Sequence, residues 1–117
     1  MKKFLVPILF LVVLMGCGHT PVEPVNDQIQ IKKANITVNF DFATETITVT
    51  NGNDLYVNVW IGRWNSDVND YLRIFEAWMW RYGTETREAK FKHGDTIKLK
   101  IQLEGQQTPV IEFYELG

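Results

Sequence analysis

Asp95 to Gly105 reads DTIKLKIQLEG, and this stretch decides the fold. Ile97, Leu99, Ile101 and Leu103 alternate with Thr96, Lys98, Lys100 and Gln102. A strict period of two over eight residues describes a strand with one buried and one wetted face. The same alternation runs through NITVNFDF, where Ile36, Val38, Phe40 and Phe42 are separated by Thr37, Asn39 and Asp41. TETITVT adds Ile47 and Val49 between threonines, a composition that favours strands. The short link between these two segments, around residues 43–45, predicts a hairpin.

The turn signal NGND, Asn51 to Asp54, leads into LYVNVWIGRW, Leu55 to Trp64. Bulky residues on both faces mark it as a central strand. VIEFYEL, Val110 to Leu116, closes the chain as a further strand, and QIQIK, Gln28 to Lys32, suits a short edge strand. HGD, His93 to Asp95, is a turn that joins EAKFK to the strand from Thr96. Short strands separated by turn signals predict an all-β fold, a small antiparallel β-sandwich. The runs TETITVTNGNDLYVNVWI and HGDTIKLKI are similar in a general way to immunoglobulin-like modules of bacterial surface proteins, which implies an immunoglobulin-like sandwich over residues 28–117.

SDVNDYLRIFEAWMWRYG resists a single reading. Val68, Tyr71, Leu72, Phe75, Trp78, Met79 and Tyr82 recur at helical spacing, with Ser66 as a cap and Gly83 as a stop. FEAWMWRY also alternates, placing Trp78, Trp80 and Tyr82 on one side. The expectation is a helical turn or one short helix, near 67–74 and at most around 67–76, then a strand near 75–82. A helix over the whole segment is the competing reading.

The N-terminus has a different character. Lys2 and Lys3 precede FLVPILFLVVLM, an apolar run too short to span a bilayer and matching a secretory signal core. Leu14-Met15-Gly16-Cys17 resembles the lipobox of bacterial lipoprotein signal peptides, with Met15 where a smaller residue is commoner. The resemblance implies removal of residues 1–16 and a diacylglyceryl group on Cys17, the only cysteine. It also implies a cell-envelope location. In a bacterium with two membranes this is the outer membrane, because Gly18 replaces the aspartate associated with inner-membrane retention. In a bacterium with one membrane it is the outer face of the plasma membrane. Residues 17–27, with Pro21 and Pro24, read as the lipidated cysteine and a flexible tether.

Composition limits the partners. The formal net charge is −2 and the one basic pair beyond the signal segment is Lys32-Lys33, which argues against nucleic acid. His93 beside Asp95 offers a superficial base–acid pair, but no nucleophile is nearby in sequence, and no catalytic residue is assigned. With one histidine in the folded part, zinc has too few ligands. Asn65 to Asp70 lacks calcium-loop spacing, so neither a metal nor another cofactor is expected.

The aromatic residues are the remaining signal. Trp60, Trp64, Trp78 and Trp80 cluster in sequence with Tyr56, Tyr71 and Tyr82, interleaved with Arg63, Arg73 and Arg81. A period of two puts Tyr56, Trp60 and Trp64 opposite Val57, Val59 and Ile61. The aliphatic row is the core face, and the aromatic row is either covered by residues 67–82 or partly exposed. Tyr56, Trp60, Trp64, Trp78, Trp80, Arg63 and Arg81 are therefore the candidate binding residues. They point to a non-catalytic interaction module that meets a protein partner, or alternatively to a carbohydrate- or peptidoglycan-binding module stacking sugars on its rings.

Overall fold

The computed structural model describes residues 20–117; the lipobox and Cys17 lie outside them. Among the described residues nine strands form two sheets: β1 (Thr20–Val22), β2 (Gln28–Lys33), β3 (Ile36–Asp41), β4 (Thr46–Asn51), β5 (Val57–Asn65), β6 (Asp70–Met79), β7 (Thr84–Glu88), β8 (Thr96–Leu103) and β9 (Val110–Leu116). One sheet has the order β1-β9-β8-β5-β6 and the other β2-β3-β4-β7. The chain changes sheet between β1 and β2, between β4 and β5 and on either side of β7, so the two sheets pack as a β-sandwich. All pairings are antiparallel except β1 with β9.

Alternation builds the core. Ile36, Val38 and Phe40 of β3 and Ile47 and Val49 of β4 face Val57, Val59 and Ile61 of β5 and Ile97, Leu99 and Ile101 of β8, all buried. Each such side chain contributes about 1.5–3 kcal/mol relative to exposure. The outer face of the four-stranded sheet is polar: the Thr48 and Thr86 hydroxyls lie 2.9 Å apart and those of Thr50 and Thr84 3.3 Å apart.

Two expectations need correction. No helix forms around 67–76: residues 66–69 are a turn, and β6 runs unbroken in strand conformation from Asp70 to Met79. The cause is a bulge. Ile61 pairs with Phe75 but Gly62 pairs with Arg73, so Ile74 is an extra residue in β6. Alternation changes phase there, and the interrupted period of two imitates helical spacing. The expected tether is also partly structured, because Thr20–Val22 pairs with Tyr114–Leu116 and Val25 bridges Gln28. The turn at His93–Gly94 lies in a link over residues 89–95 that leads from β7 to β8, and Phe91 within it is buried and packs edge-on against Phe40 at 5.3 Å.

Candidate functional site: an aromatic outer face and its rim

β5 lies between β6 and β8, so its outward side chains occupy the middle of the five-stranded sheet's outer face. Trp60 and Trp64 point outward and Val57, Val59 and Ile61 inward, as their alternation requires. The 67–82 segment does not cover them. Its strand β6 lies beside β5 in the same sheet, and the aromatic layer packs mostly against itself.

Gly62 makes that packing possible. A Cβ built at this position would overlap the Trp60 ring and stand 3.0 Å from the Tyr71 Cβ, so both side chains use the space a larger residue would fill. Tyr71 meets Trp64 edge-on at 5.1 Å and reaches Phe113 of β9 at 5.6 Å. Burial there pushes the Tyr71 phenol above its ordinary pKa. The Lys100 ammonium sits 5.4 Å from the centre of the Trp60 ring, a cation–π distance. Trp64 keeps 39% of its surface exposed, and Trp78, opposite Asn58, keeps 67%.

At one end of the sandwich the layer becomes a rim. Trp80 is 69% exposed and Tyr82 67%. Trp80 packs on Tyr56 at 5.1 Å, and the Arg81 guanidinium lies 5.7 Å from the same Tyr56 ring. These exposed side chains stand on a well-tied backbone. Asn51, a fully buried polar residue, donates from Nδ2 to the carbonyls of Leu55 at 2.8 Å and Trp80 at 2.9 Å. Its Oδ1 accepts from the backbone N–H of Asn53 at 2.9 Å and from Asn53 Nδ2 at 3.1 Å. The Tyr82 N–H donates to the Asn53 carbonyl and that of Gly83 to the Trp80 carbonyl. Tyr82 adopts a φ of 54°, a left-handed conformation that costs a bulky residue about 1–3 kcal/mol unless its surroundings enforce it.

The candidate residues thus fall into two connected groups: Trp60 and Trp64 on the face, and Tyr56, Trp80 and Arg81 at the rim, with Trp78 on the edge strand next to Trp80. Arg63 belongs to neither. Its Nε reaches Asp95 Oδ2 at 2.7 Å, toward the opposite end of the sandwich. Arg73 pairs with Glu76 at 3.2 Å. Reading the sequence missed Phe113, Lys100, Gly62 and Asn51. The alternation of VIEFYEL and DTIKLKIQL already put Phe113 and Lys100 on outward faces, but the sheet order that joins them to Trp60 is not visible in either segment alone. A glycine amid the bulky residues of VNVWIGRW was the available sign of a close approach.

His93 and Asp95 do not form a pair. His93 Nδ1 is 2.7 Å from the Gly117 carbonyl and Nε2 is 3.1 Å from Asp27 Oδ1, with the ring stacked on Phe42 at 3.7 Å. Asp95 instead accepts the Lys92 N–H at 2.7 Å as well as Arg63. In the Asn65–Asp70 turn, Asn65 Oδ1 accepts the N–H groups of Asp67 and Val68, and Asp70 Oδ1 that of Tyr71. Among the described residues no three His, Cys, Asp or Glu side chains gather where they could hold a metal ion. No protein-family model, curated protein or solved structure matches the chain.

Proposed function

We propose that this chain is a lipid-anchored lipoprotein of the bacterial envelope, held by Cys17, whose sandwich is a non-catalytic interaction module. Its partner is a protein that meets the aromatic outer face of the five-stranded sheet. The observation that carries the reading is the asymmetry between the two outer faces. One carries threonine, asparagine and glutamine with Lys32, Asp41 and Glu88; the other presents Trp60, Trp64, Tyr71 and Trp78, and among the described residues no third layer lies over them. Large rigid rings with a polar edge are the side chains that dominate protein contacts, and the mutual packing through Gly62 reduces the entropy lost on binding. The anchor rests on the lipobox resemblance, and the location follows it: outer membrane in a two-membrane cell, outer face of the plasma membrane in a one-membrane cell.

The test is photo-crosslinking in intact cells with benzoylphenylalanine in place of Trp64, and in place of Thr48 on the polar face as control. A protein crosslinked from position 64 and not from 48 supports the reading. Equal or absent crosslinking at both positions overturns it. A glycan pulldown that Trp60→Ala and Trp64→Ala abolish with folding intact would replace the protein partner by a polysaccharide.

A further inference from the structure

We propose that the groove under the tip of the β5–β6 hairpin binds a peptide carboxylate. Arg63 and Lys90 are its cations, and Leu72 and Ile74 receive the aliphatic side chain next to the carboxylate. The site lies on the core-facing side of the hairpin, so it depends neither on the anchor at Cys17 nor on the partner of the outer face.

Strand register creates the groove. Arg63 pairs with Ile97 of β8 on one side and with Leu72 of β6 on the other. Ile97 is buried, so alternation aims Arg63 and Leu72 toward the same core side. Leu72 nevertheless keeps 46% of its surface exposed, because the opposite sheet stops short of it. Arg87 of β7 reaches the Glu76 carbonyl and the Phe75 ring, and β7 ends one residue later, at Glu88. The hairpin tip therefore extends past β7, and the link that follows β7 brings Lys90 to the space left there. The result is an open groove of about 400 Å³, whose lining includes Arg63, Asp67, Leu72, Arg73, Ile74 and Lys90. That size suits a small ligand or a short piece of peptide. Ile74, the extra residue of the bulge, supplies the second aliphatic side chain.

Charge selects the ligand. Asp95, with a side chain only 10% exposed, holds Arg63 Nε at 2.7 Å and is itself fixed by accepting the Lys92 N–H at 2.7 Å. With Nε held in this way, the two terminal amino groups are the fork that a carboxylate can take through parallel hydrogen bonds. The guanidinium is positioned in advance, so little freedom is lost when the ligand arrives. Lys90 meets Glu45 at 3.4 Å on a side chain 86% exposed, a contact too weak to hold it against a ligand. Arg73 is partly neutralised by Glu76 at the groove's edge. Three cations and one acid, Asp67, line this groove on a chain whose formal net charge is −2, and that contrast favours an anion. Leu72 and Ile74 beside the cations favour a carboxylate carried next to an aliphatic side chain. An inorganic phosphate or an acidic sugar would leave both unused.

The test is a nuclear magnetic resonance titration of the full chain in detergent with acetyl-alanyl-leucine, and with its C-terminal amide as control. The acid should give saturable shifts at residues 63–74 and 90, and the amide should bind about tenfold more weakly, as loss of a charge-assisted pair implies. Added salt should weaken the acid. Arg63→Gln should weaken it by a similar factor. Lys90→Gln, at an exposed side chain the fold does not need, is the second variant and should weaken it about threefold with an unchanged thermal melt. Absence of saturable shifts, equal binding of acid and amide, or an affinity indifferent to Lys90→Gln overturns the proposal. Sodium glucuronate or inorganic phosphate binding as tightly as the dipeptide acid would also overturn it, leaving a general anion site in place of a peptide site.

Discussion

Asn51 shows how one polar side chain can organise a surface it does not belong to. It is fully buried, and its amide supplies two donors and one acceptor to the backbone of residues 53, 55 and 80. Asn51→Ala leaves the carbonyls of Leu55 and Trp80 and the N–H of Asn53 without these partners. Each buried unsatisfied group costs about 1–3 kcal/mol, and water entering the vacated space recovers part of that, so a loss of roughly 2–4 kcal/mol is expected. Asn51→Asp is the sharper variant: shape is kept, but an ionised carboxylate has no proton for either carbonyl. Urea unfolding should place both variants well below the parent chain; an Asp variant as stable as the parent would refute this role. In the sequence Asn51 was legible only as part of a turn signal. Its burial depends on three loops converging, which no local pattern records.

At the scale of the element, β8 and β6 mark the limits of pattern reading. β8 was legible in full, because its alternation is unbroken and its neighbours on both sides bury the same face. β6 was not, because the bulge at Ile74 sets Tyr71 and Arg73 in one phase and Glu76 and Trp78 in the other. The bulge also matters because β6 is an edge strand of ten residues, long enough to recruit another chain. Arg87 of β7 adds a second guard. Its guanidinium donates to the Glu76 carbonyl at 2.7 Å and lies 5.4 Å from the centre of the Phe75 ring. Arg87→Ala frees that carbonyl and uncovers the ring, so the variant should self-associate more than the parent at equal concentration. Sedimentation velocity across a concentration series checks this. Identical profiles would mean that the bulge alone protects the edge.

Across the whole molecule, the two ends of the sandwich differ in kind. The class of fold and most strands followed from alternation, and so did the two faces of β5. What did not follow was the contribution of residues 20–27, because β1 is too short to show a period and His93 finds Asp27 only through the fold. That contact lies at the end away from the rim and joins the segment after β1, the turn before β8 and the end of β9, with Phe42 stacked beneath. Both ring nitrogens face oxygen acceptors, so the doubly protonated imidazolium fits best. The hydrogen bond to the Gly117 carbonyl, then that to Asp27, raises the His93 pKa above its ordinary value. For a base whose folded pKa is raised, the stabilising contribution is complete below the unfolded value of about 6.5 and is lost as pH rises through the folded value. The pair is about half exposed, so solvent screens it and a change of roughly a degree or two in Tm is expected. Thermal melts from pH 5.5 to 9 should show the parent losing stability through neutral pH. His93→Gln, which cannot titrate, should flatten that slope, and Asp27→Asn should reduce it while leaving the Gly117 contact. A parent slope that survives His93→Gln unchanged would assign the pH dependence to another group.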